Sequence, residues 1–259
     1  MTAKQTTAKS IFVWVKEGGD GKTTTAVNTA KAMADAGKRV LLVDLDENAK
    51  ATLRSGLNPD KFSPTLYHVF VNKVPISQVI QKTSFGFDIV PGHSLTAVLQ
   101  GSLEEGDEKL LQERIAPVLP DYDFVIFDTE PGKHLLTYNA FSAADYLLIP
   151  MQAQSQGLVA VTQTIHFVRD VIWKQFNPGL KIIGIFLIQV RRISPTSLAV
   201  VKQAREIWGD KVLPFEVPET DLFSQAFDAG KPALAFRPKH KAVQPYRRLA
   251  KYISTKSGK

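Results

Sequence analysis

A glycine-rich loop between an apolar strand and a helix decides the fold: Ile11-Phe12-Val13-Trp14-Val15 precedes Gly18-Gly19-Asp20-Gly21-Lys22-Thr23-Thr24. Glycines let backbone N–H groups curl around an anion, and the start of the following helix adds partial positive charge. We expect Lys22 to reach the β- and γ-phosphates of a nucleotide, the Thr23 hydroxyl to ligate Mg²⁺, and Thr24 to contact the α-phosphate. The context of strand, loop and helix therefore predicts a phosphate-binding loop.

The rest of the chain alternates between apolar strands and helical patterns. Five further strands are predicted around residues 40–43, 87–90, 124–127, 146–149 and 182–188, and helices at 22–36, 157–176 and 195–208. Fully apolar strands interleaved with helices are typical of a parallel sheet covered on both faces. We therefore predict a short polar tail at residues 1–9 and a single P-loop ATPase domain at 10–259. Its fold class is α/β, with a doubly wound, mostly parallel sheet and helices on both faces.

Composition excludes several classes of protein. The chain has 259 residues, of which 44% are hydrophobic, enough for a sizeable core. It has no cysteine, which excludes disulfide scaffolds, cysteine nucleophiles, thiolate zinc sites and cysteine-held iron–sulfur clusters. No apolar run approaches the ~18 residues of a membrane span, and the first residues lack a signal-peptide core. These features predict a cytoplasmic protein without a membrane partner.

Positive charge is concentrated in the last quarter of the chain. The net charge is +7, and residues 191–259 hold 14 Lys and Arg against 6 Asp and Glu. This asymmetry points to an anionic polymer or surface as partner. The alternative is a well-solvated basic face without a partner.

The loop departs from the general form G-x-x-x-x-G-K-[ST], because position 16 is Lys16 rather than glycine. It resembles the deviant form K-G-G-x-G-K-T-T of the ParA/MinD family of partitioning ATPases. The resemblance continues through residues 25–28 and 36–46, through Tyr122 to Asp128, and through residues 135–150. It ends with Gly230-Lys231-Pro232 and the basic stretch 246–251.

The family's motifs imply roles for three aspartates. The pattern D-x-D-P-Q-G-N reads here Asp44-Leu45-Asp46-Glu47-Asn48-Ala49-Lys50. The resemblance implies that Asp46 orients or activates the attacking water and that Asp44 lies near the water shell of the metal. Asp128, at the end of an apolar strand, would hold Mg²⁺ through water.

The resemblance also implies a cycle. Two subunits would sandwich two ATP molecules with Mg²⁺, and the homodimer in the ATP state would bind nonspecific DNA. A ParB-like or equivalent adaptor protein would stimulate hydrolysis and release the dimer, so that a plasmid, chromosome origin or protein body is positioned over the nucleoid. The choice of ATP rests on this resemblance. The candidates for phosphate-backbone contact are the basic residues of the last quarter: Arg191, Arg192, Lys202, Arg205, Lys211, Arg237, Lys239, Lys241, Arg247, Arg248 and Lys251.

The match breaks at the family's signature lysine, which reaches across the dimer to the partner's phosphates and aligns with Glu17. A carboxylate beside phosphates is repulsive. Lys16 is the substitute if the loop shifts by one residue; otherwise the trans contact is absent or comes from elsewhere in the chain. Family members that position carboxysomes also lack this lysine, so its loss need not abolish dimerisation.

Three further positions depart from the family. Asp20 replaces a small or apolar residue and is expected to point away from the phosphates. Glu130 replaces the first proline of D-x-P-P, and Gln154 replaces a glutamate. With Glu17, these changes are expected to place three acidic residues in or near the nucleotide site and to slow hydrolysis.

Three hypotheses remain open. The first is a slow, partner-stimulated ATPase that positions cargo on DNA. The second is a nucleotide-dependent DNA-binding scaffold with little or no turnover, motivated by Glu17. The third is a basic protein that binds a different polyanion, whose DNA binding would be independent of ATP.

Overall fold

The computed structural model describes residues 8–17, 19, 21–132 and 134–258. In these ranges the strands are β1 (Lys9–Val13), β2 (Val40–Asp44), β3 (Gln81–Lys82), β4 (Asp88–Val90), β5 (Phe124–Asp128), β6 (Tyr146–Gln152) and β7 (Lys181–Ile188). The longer helices are α1 (Lys22–Asp35), α4 (Leu95–Ser102), α6 (Leu135–Ala143), α7 (Ser155–Phe167), α8 (Pro195–Trp208) and α11 (Gln244–Ser257). The shorter ones are α2 (Lys50–Arg54), α3 (Leu66–Val71), α5 (Leu110–Ile115), α9 (Leu222–Asp228) and α10 (Ala233–Phe236).

The strands form one sheet in the order β3-β4-β2-β5-β1-β6-β7. Every neighbouring pair is parallel except β3 and β4, so β3 is a short antiparallel edge strand. The carboxyl ends of β1, β2 and β5 therefore lie side by side at one edge of the sheet. In open α/β sheets this edge is where ligands bind.

Alternate residues along β1 and the position just after it show that both faces of the sheet are covered. Ile11 and Val13 pack with α1, α2, α9, α10 and α11 on one face. Phe12 and Trp14 pack with α3 to α8 on the other. All four side chains are fully buried. The α/β, mostly parallel fold class predicted from the sequence is confirmed.

The predicted element bounds need small corrections. Strand β1 begins at Lys9, inside the segment taken as a polar tail, because Lys9 N–H donates to the Asp123 carbonyl at 3.0 Å. Strand β3 was not predicted, since two residues carry no readable periodicity. Helix α8 has the predicted bounds, and α7 continues as a π-helical segment, Val168–Phe176, to the predicted end.

Among the described residues, no helix is both long and apolar enough to cross a bilayer.

Candidate nucleotide site

The loop after β1 is shaped by two glycines with left-handed backbone. Gly19 has φ +79° and Gly21 has φ +67°, a region that side chains with a Cβ rarely adopt. A Cβ on Gly21 would also lie 2.4 Å from Cδ1 of Ile188 at the end of β7. The Gly19 carbonyl accepts a hydrogen bond from the Gln152 amide at 3.0 Å. Gly18 and Asp20, both predicted to belong to this loop, lie outside the described residues.

Lys22 folds back over the loop from the first turn of α1. Its ammonium donates to the Glu17 carbonyl at 2.6 Å, and the residue is only 5% exposed. An ammonium held against a loop carbonyl is positioned to meet an anion seated in that loop. The Glu17 carboxylate end is solvent-exposed.

Asp128 is the last residue of β5, and its carboxylate is buried without a full set of hydrogen-bond partners among the described residues. Both carboxylate oxygens are buried and lack a hydrogen bond of normal geometry within the described part of the chain. Burial raises the pKa of Asp128 well above its usual value, and the charge of Asp44 raises it further. The Thr23 side chain and the Lys22 charge oppose this rise. Two orphaned carboxylate oxygens beside a threonine hydroxyl suit a hard cation.

Asp44 is the last residue of β2, and both of its carboxylate oxygens accept hydrogen bonds from nearby residues. One oxygen accepts hydrogen bonds from the Thr52 backbone at 2.8 Å and the Thr52 hydroxyl at 2.7 Å. The other accepts from the Asp46 backbone at 3.1 Å. Burial raises its pKa to about 6 despite these bonds. Asp44 therefore fixes the turn that carries Asp46, and its charge acts on Asp128.

Gly92 belongs to this arrangement and was missed in the sequence. Its N–H donates to the Thr52 hydroxyl at 2.8 Å. A Cβ there would lie 2.7 Å from Cγ of Asp44 and 2.8 Å from the Asp46 carbonyl oxygen. Only glycine fits this approach, but a single glycine in a loop gives no signal of such a role.

The two carboxylate oxygens of Asp46 have different surroundings: Oδ1 accepts two hydrogen bonds, and Oδ2 lies near Lys50 of α2. Oδ1 accepts from the Asn48 backbone at 2.8 Å and from the Asn48 amide at 3.0 Å. Oδ2 lies 4.0 Å from the Lys50 ammonium. This fixed carboxylate is suited to orienting a water molecule.

A pocket of about 270 Å³ lies over the loop, and Asp44 and Asp128 are not part of its lining. Its lining includes the predicted residues Gly19, Gly21, Lys22, Thr23, Thr24 and Asp46, together with Lys50, Arg54, Thr129 and Pro131. Most of the nucleotide-binding residues predicted from the motif thus converge on one cavity.

Arg54 is the most unusual residue of this cavity. Its guanidinium lies 4.3 Å from the ring centroid of Phe227 on α9, and its buried Nε has no hydrogen-bond partner among the described residues. Burial lowers its pKa, while Asp128 acts in the opposite direction. No motif marks this arginine, and it is identified only by its place in the cavity wall.

The predicted substitute for the signature lysine, Lys16, is occupied elsewhere. Its ammonium donates to the Gln163 amide oxygen on α7 at 2.7 Å, and its backbone N–H donates to the Thr164 hydroxyl at 3.1 Å. These contacts hold Lys16 on α7 in the isolated chain.

Glu130 does not line the pocket, although its neighbours Thr129 and Pro131 do. Its carboxylate accepts a hydrogen bond from the Gln100 amide on α4 and lies 3.9 Å from the His134 imidazole. Gln154, the other departure described here, is exposed at the start of α7. Of the three acidic residues expected in or near the site, Glu17 and Glu130 do not line the pocket, and Asp20 lies outside the described residues.

Five of the eleven basic candidates are paired with carboxylates. The pairs are Arg191 with Glu219, Arg192 and Arg205 with Glu216, Lys202 with Glu206, and Arg247 with Asp35. The candidates that pair with no described carboxylate are Lys211, Arg237, Lys239, Lys241, Arg248 and Lys251, all exposed. Three candidates, Arg192, Lys241 and Arg248, line one pocket of about 240 Å³, here called the basic pocket.

The strand–loop–helix unit and its cavity define a P-loop nucleoside triphosphatase. The AAA domain family model matches residues 8–182. The chromosome partitioning protein ParA of Myxococcus xanthus is 32% identical over 251 residues, covering 96% of this chain and 88% of its own length. The sporulation initiation inhibitor protein Soj of Bacillus subtilis is 31% identical over 252 residues, covering 95% and 98%. The chain belongs to the ParA/MinD family of P-loop nucleoside triphosphatases.

A solved structure agrees over nearly the whole fold. Cobyrinic acid a,c-diamide synthase of Mycobacterium smegmatis, with a bound ATP analogue and magnesium, superposes with a TM-score of 0.83. It is 27% identical, and the match covers 97% of both chains.

Proposed function

We propose that this protein is a magnesium-dependent ATPase that switches between DNA-bound and free states to segregate or position cargo. The observation that carries the proposal is a pocket lined by Lys22, Thr23 and Asp46, with the buried carboxylate of Asp128 interacting with Thr23 and Lys22. The bound ATP analogue and magnesium of the structural relative support the choice of nucleotide.

Each group has a distinct task in this proposal. Backbone N–H groups of the loop and the Lys22 ammonium bind the phosphates, and the fixed Asp46 carboxylate orients water. Thr23 and Asp128 would hold Mg²⁺, directly or through water, while Asp44 lies nearby and holds the Asp46 turn. The ion, when bound, neutralises charge that develops on the phosphates. Catalysis then consists of positioning and charge stabilisation.

Positioning of cargo requires a surface to which the protein can bind reversibly. The excess of Lys and Arg in residues 191–259 supports nonspecific DNA as that surface. The relative named as a chromosome partitioning protein supports a partitioning role, for which we propose an ATP-state homodimer and a ParB-like or equivalent adaptor. We infer a cytoplasmic, nucleoid-associated protein without a membrane partner. Glu17, exposed at the loop, favours a second candidate function: a nucleotide-dependent DNA-binding scaffold with little turnover.

One assay separates these functions. DNA binding by the purified protein is measured in ATP–Mg²⁺, ADP–Mg²⁺ and no nucleotide, with phosphate release followed in the same samples. We expect DNA binding about tenfold or more tighter with ATP, with slow phosphate release, because only the ATP state aligns two basic surfaces. ATP-selective binding without release favours the scaffold. Equal binding in all three conditions contradicts the nucleotide switch and favours ATP-independent polyanion binding.

The basic pocket is expected to carry part of the DNA affinity. The double variant Lys241→Ala/Arg248→Ala should bind DNA about tenfold more weakly at moderate salt, and the slope of log affinity against log salt should fall by about 2. Lys82→Ala, on the exposed edge strand β3, is the matched control and should leave both quantities unchanged. An unchanged slope in the double variant would remove this pocket from the DNA surface.

A further inference from the structure

Helix α2 brings a lysine to the nucleotide pocket beside the carboxylate that orients water. Lys50 lines the cavity together with Lys22, Thr23 and Asp46. Its ammonium lies 4.0 Å from Asp46 Oδ2, the oxygen that Asn48 does not occupy. Because the attacking water must lie next to the terminal phosphate, a cation beside Asp46 is also near that phosphate.

The Lys50 side chain has room to move. It is 50% exposed, and its ion pair with Asp46 is at the limit of contact distance. The lysine end of this pair is half exposed and only the Asp46 end is buried, so the ammonium can move from the carboxylate to a nearby phosphate and remain paired with an anion. A four-carbon stem with three donors can make that exchange without a backbone change.

The other two cations of the cavity are committed. Lys22 lies inside the loop with its ammonium on the Glu17 carbonyl. Arg54 is partly buried and stacked over Phe227. Lys50 is the pocket cation whose side chain can extend toward the cavity mouth.

The charges around the loop make such a cation useful. Residue 17 is an exposed glutamate where the family motif carries a lysine. Residue 50 is a lysine where the quoted motif carries an asparagine. Lys16 is held on Gln163 of α7 and supplies no charge at the pocket in the isolated chain.

We propose that Lys50 contacts the terminal phosphate of the bound nucleoside triphosphate in cis, supplying the positive charge that residue 17 does not. This inference rests on the proposed ATP site and assigns a further residue to it. Since ADP lacks the terminal phosphate, the contact distinguishes ATP from ADP.

The test compares ATP and ADP affinity of Lys50→Gln by equilibrium titration with a non-hydrolysable ATP analogue and ADP. Protein concentration is kept where sedimentation shows a monomer, so that a trans contact cannot contribute. We expect the analogue to bind about tenfold more weakly and ADP to bind within about twofold of the native protein, as for loss of one charge-assisted hydrogen bond. Lys50→Arg should restore most of the preference.

The controls separate this inference from the proposed function. Lys61→Gln, on the exposed surface away from the cavity, should leave both affinities unchanged. Equal losses for both nucleotides, or no loss, would overturn the role of Lys50 while leaving the ATP site intact. Failure of the native protein to bind either nucleotide would overturn the ATP site itself and Lys50 with it.

Discussion

Lys22→Ala is expected to weaken ATP binding about 100-fold or more, because a buried ammonium that serves phosphates is removed along with two or more charge-assisted hydrogen bonds. The structure adds a second loss. The Lys22 ammonium also holds the Glu17 carbonyl at 2.6 Å, so the variant frees the loop at the residue where the cradle begins. Both effects act on nucleotide affinity.

Titration calorimetry with ATP–Mg²⁺ measures this loss, and Lys31→Ala provides the control. Lys31 lies on the same helix and pairs with Asp35 four residues further on, away from the loop. Circular dichroism should show both variants folded. A Lys22→Ala protein that still bound ATP within threefold of the native affinity would refute the assignment of residues 18–24 as a phosphate loop.

Asp128→Asn is expected to stabilise the ligand-free protein at pH 8 by about 2 kcal/mol while removing its response to Mg²⁺. The native carboxylate is buried with neither oxygen well paired among the described residues, and a buried group in that condition costs free energy. An asparagine keeps the shape and removes the charge. The carboxylate of Asp128, which we propose holds Mg²⁺, therefore lowers the free energy of unfolding of the ligand-free protein.

The sign of the pH dependence follows from the raised pKa. Between the ordinary pKa of an aspartate and its raised value in the folded protein, the folded state holds a proton that the unfolded chain has released. Stability of the native protein therefore falls as pH rises through this window. Asp44, with its pKa raised to about 6, contributes a fall in the same direction.

Urea unfolding of the native protein and Asp128→Asn between pH 4 and pH 8 tests this account. The free-energy difference should be smallest near pH 4 and grow with pH, and adding Mg²⁺ with ATP should stabilise the native protein much more than the variant. Asp60→Asn, an exposed aspartate outside the pocket, is the control. A variant less stable than the native protein at pH 8 would contradict the account.

The sequence was sufficient for the architecture because the apolar strands and the loop carry local signals. Glycine, lysine and threonine at a strand–helix junction specify a loop, and fully apolar runs such as 124–127 specify buried parallel strands. The short edge strand β3 could not be predicted, since it exists only through pairing with β4. The same reasoning applies to the start of β1, which depends on a hydrogen bond to Asp123.

The site was predictable where one motif supplies the residue and not where the fold assembles it. Lys22 and Thr23 follow from the phosphate-loop motif, and Asp46 follows from the family resemblance. Arg54 lines the pocket although no motif marks it. Glu130 does not line it, and its carboxylate is hydrogen-bonded to Gln100 of α4, a contact between segments that no motif encodes.

The basic quarter is part of the body of the protein and not an appendage. Asn28 of α1 donates to the Thr24 carbonyl at 2.8 Å and accepts from the Leu234 backbone at 2.9 Å, so one amide joins the phosphate loop to α10. Buried residues of α11, among them Tyr246 and Leu249, close the same face. The excess of positive charge begins near residue 191, but the residues before and after that point share one hydrophobic core. Truncation at that point would remove α10 and α11, which pack against α1, and expose its buried side chains. The roles of the basic residues and of the nucleotide site must therefore be tested separately by point substitution and not by truncation.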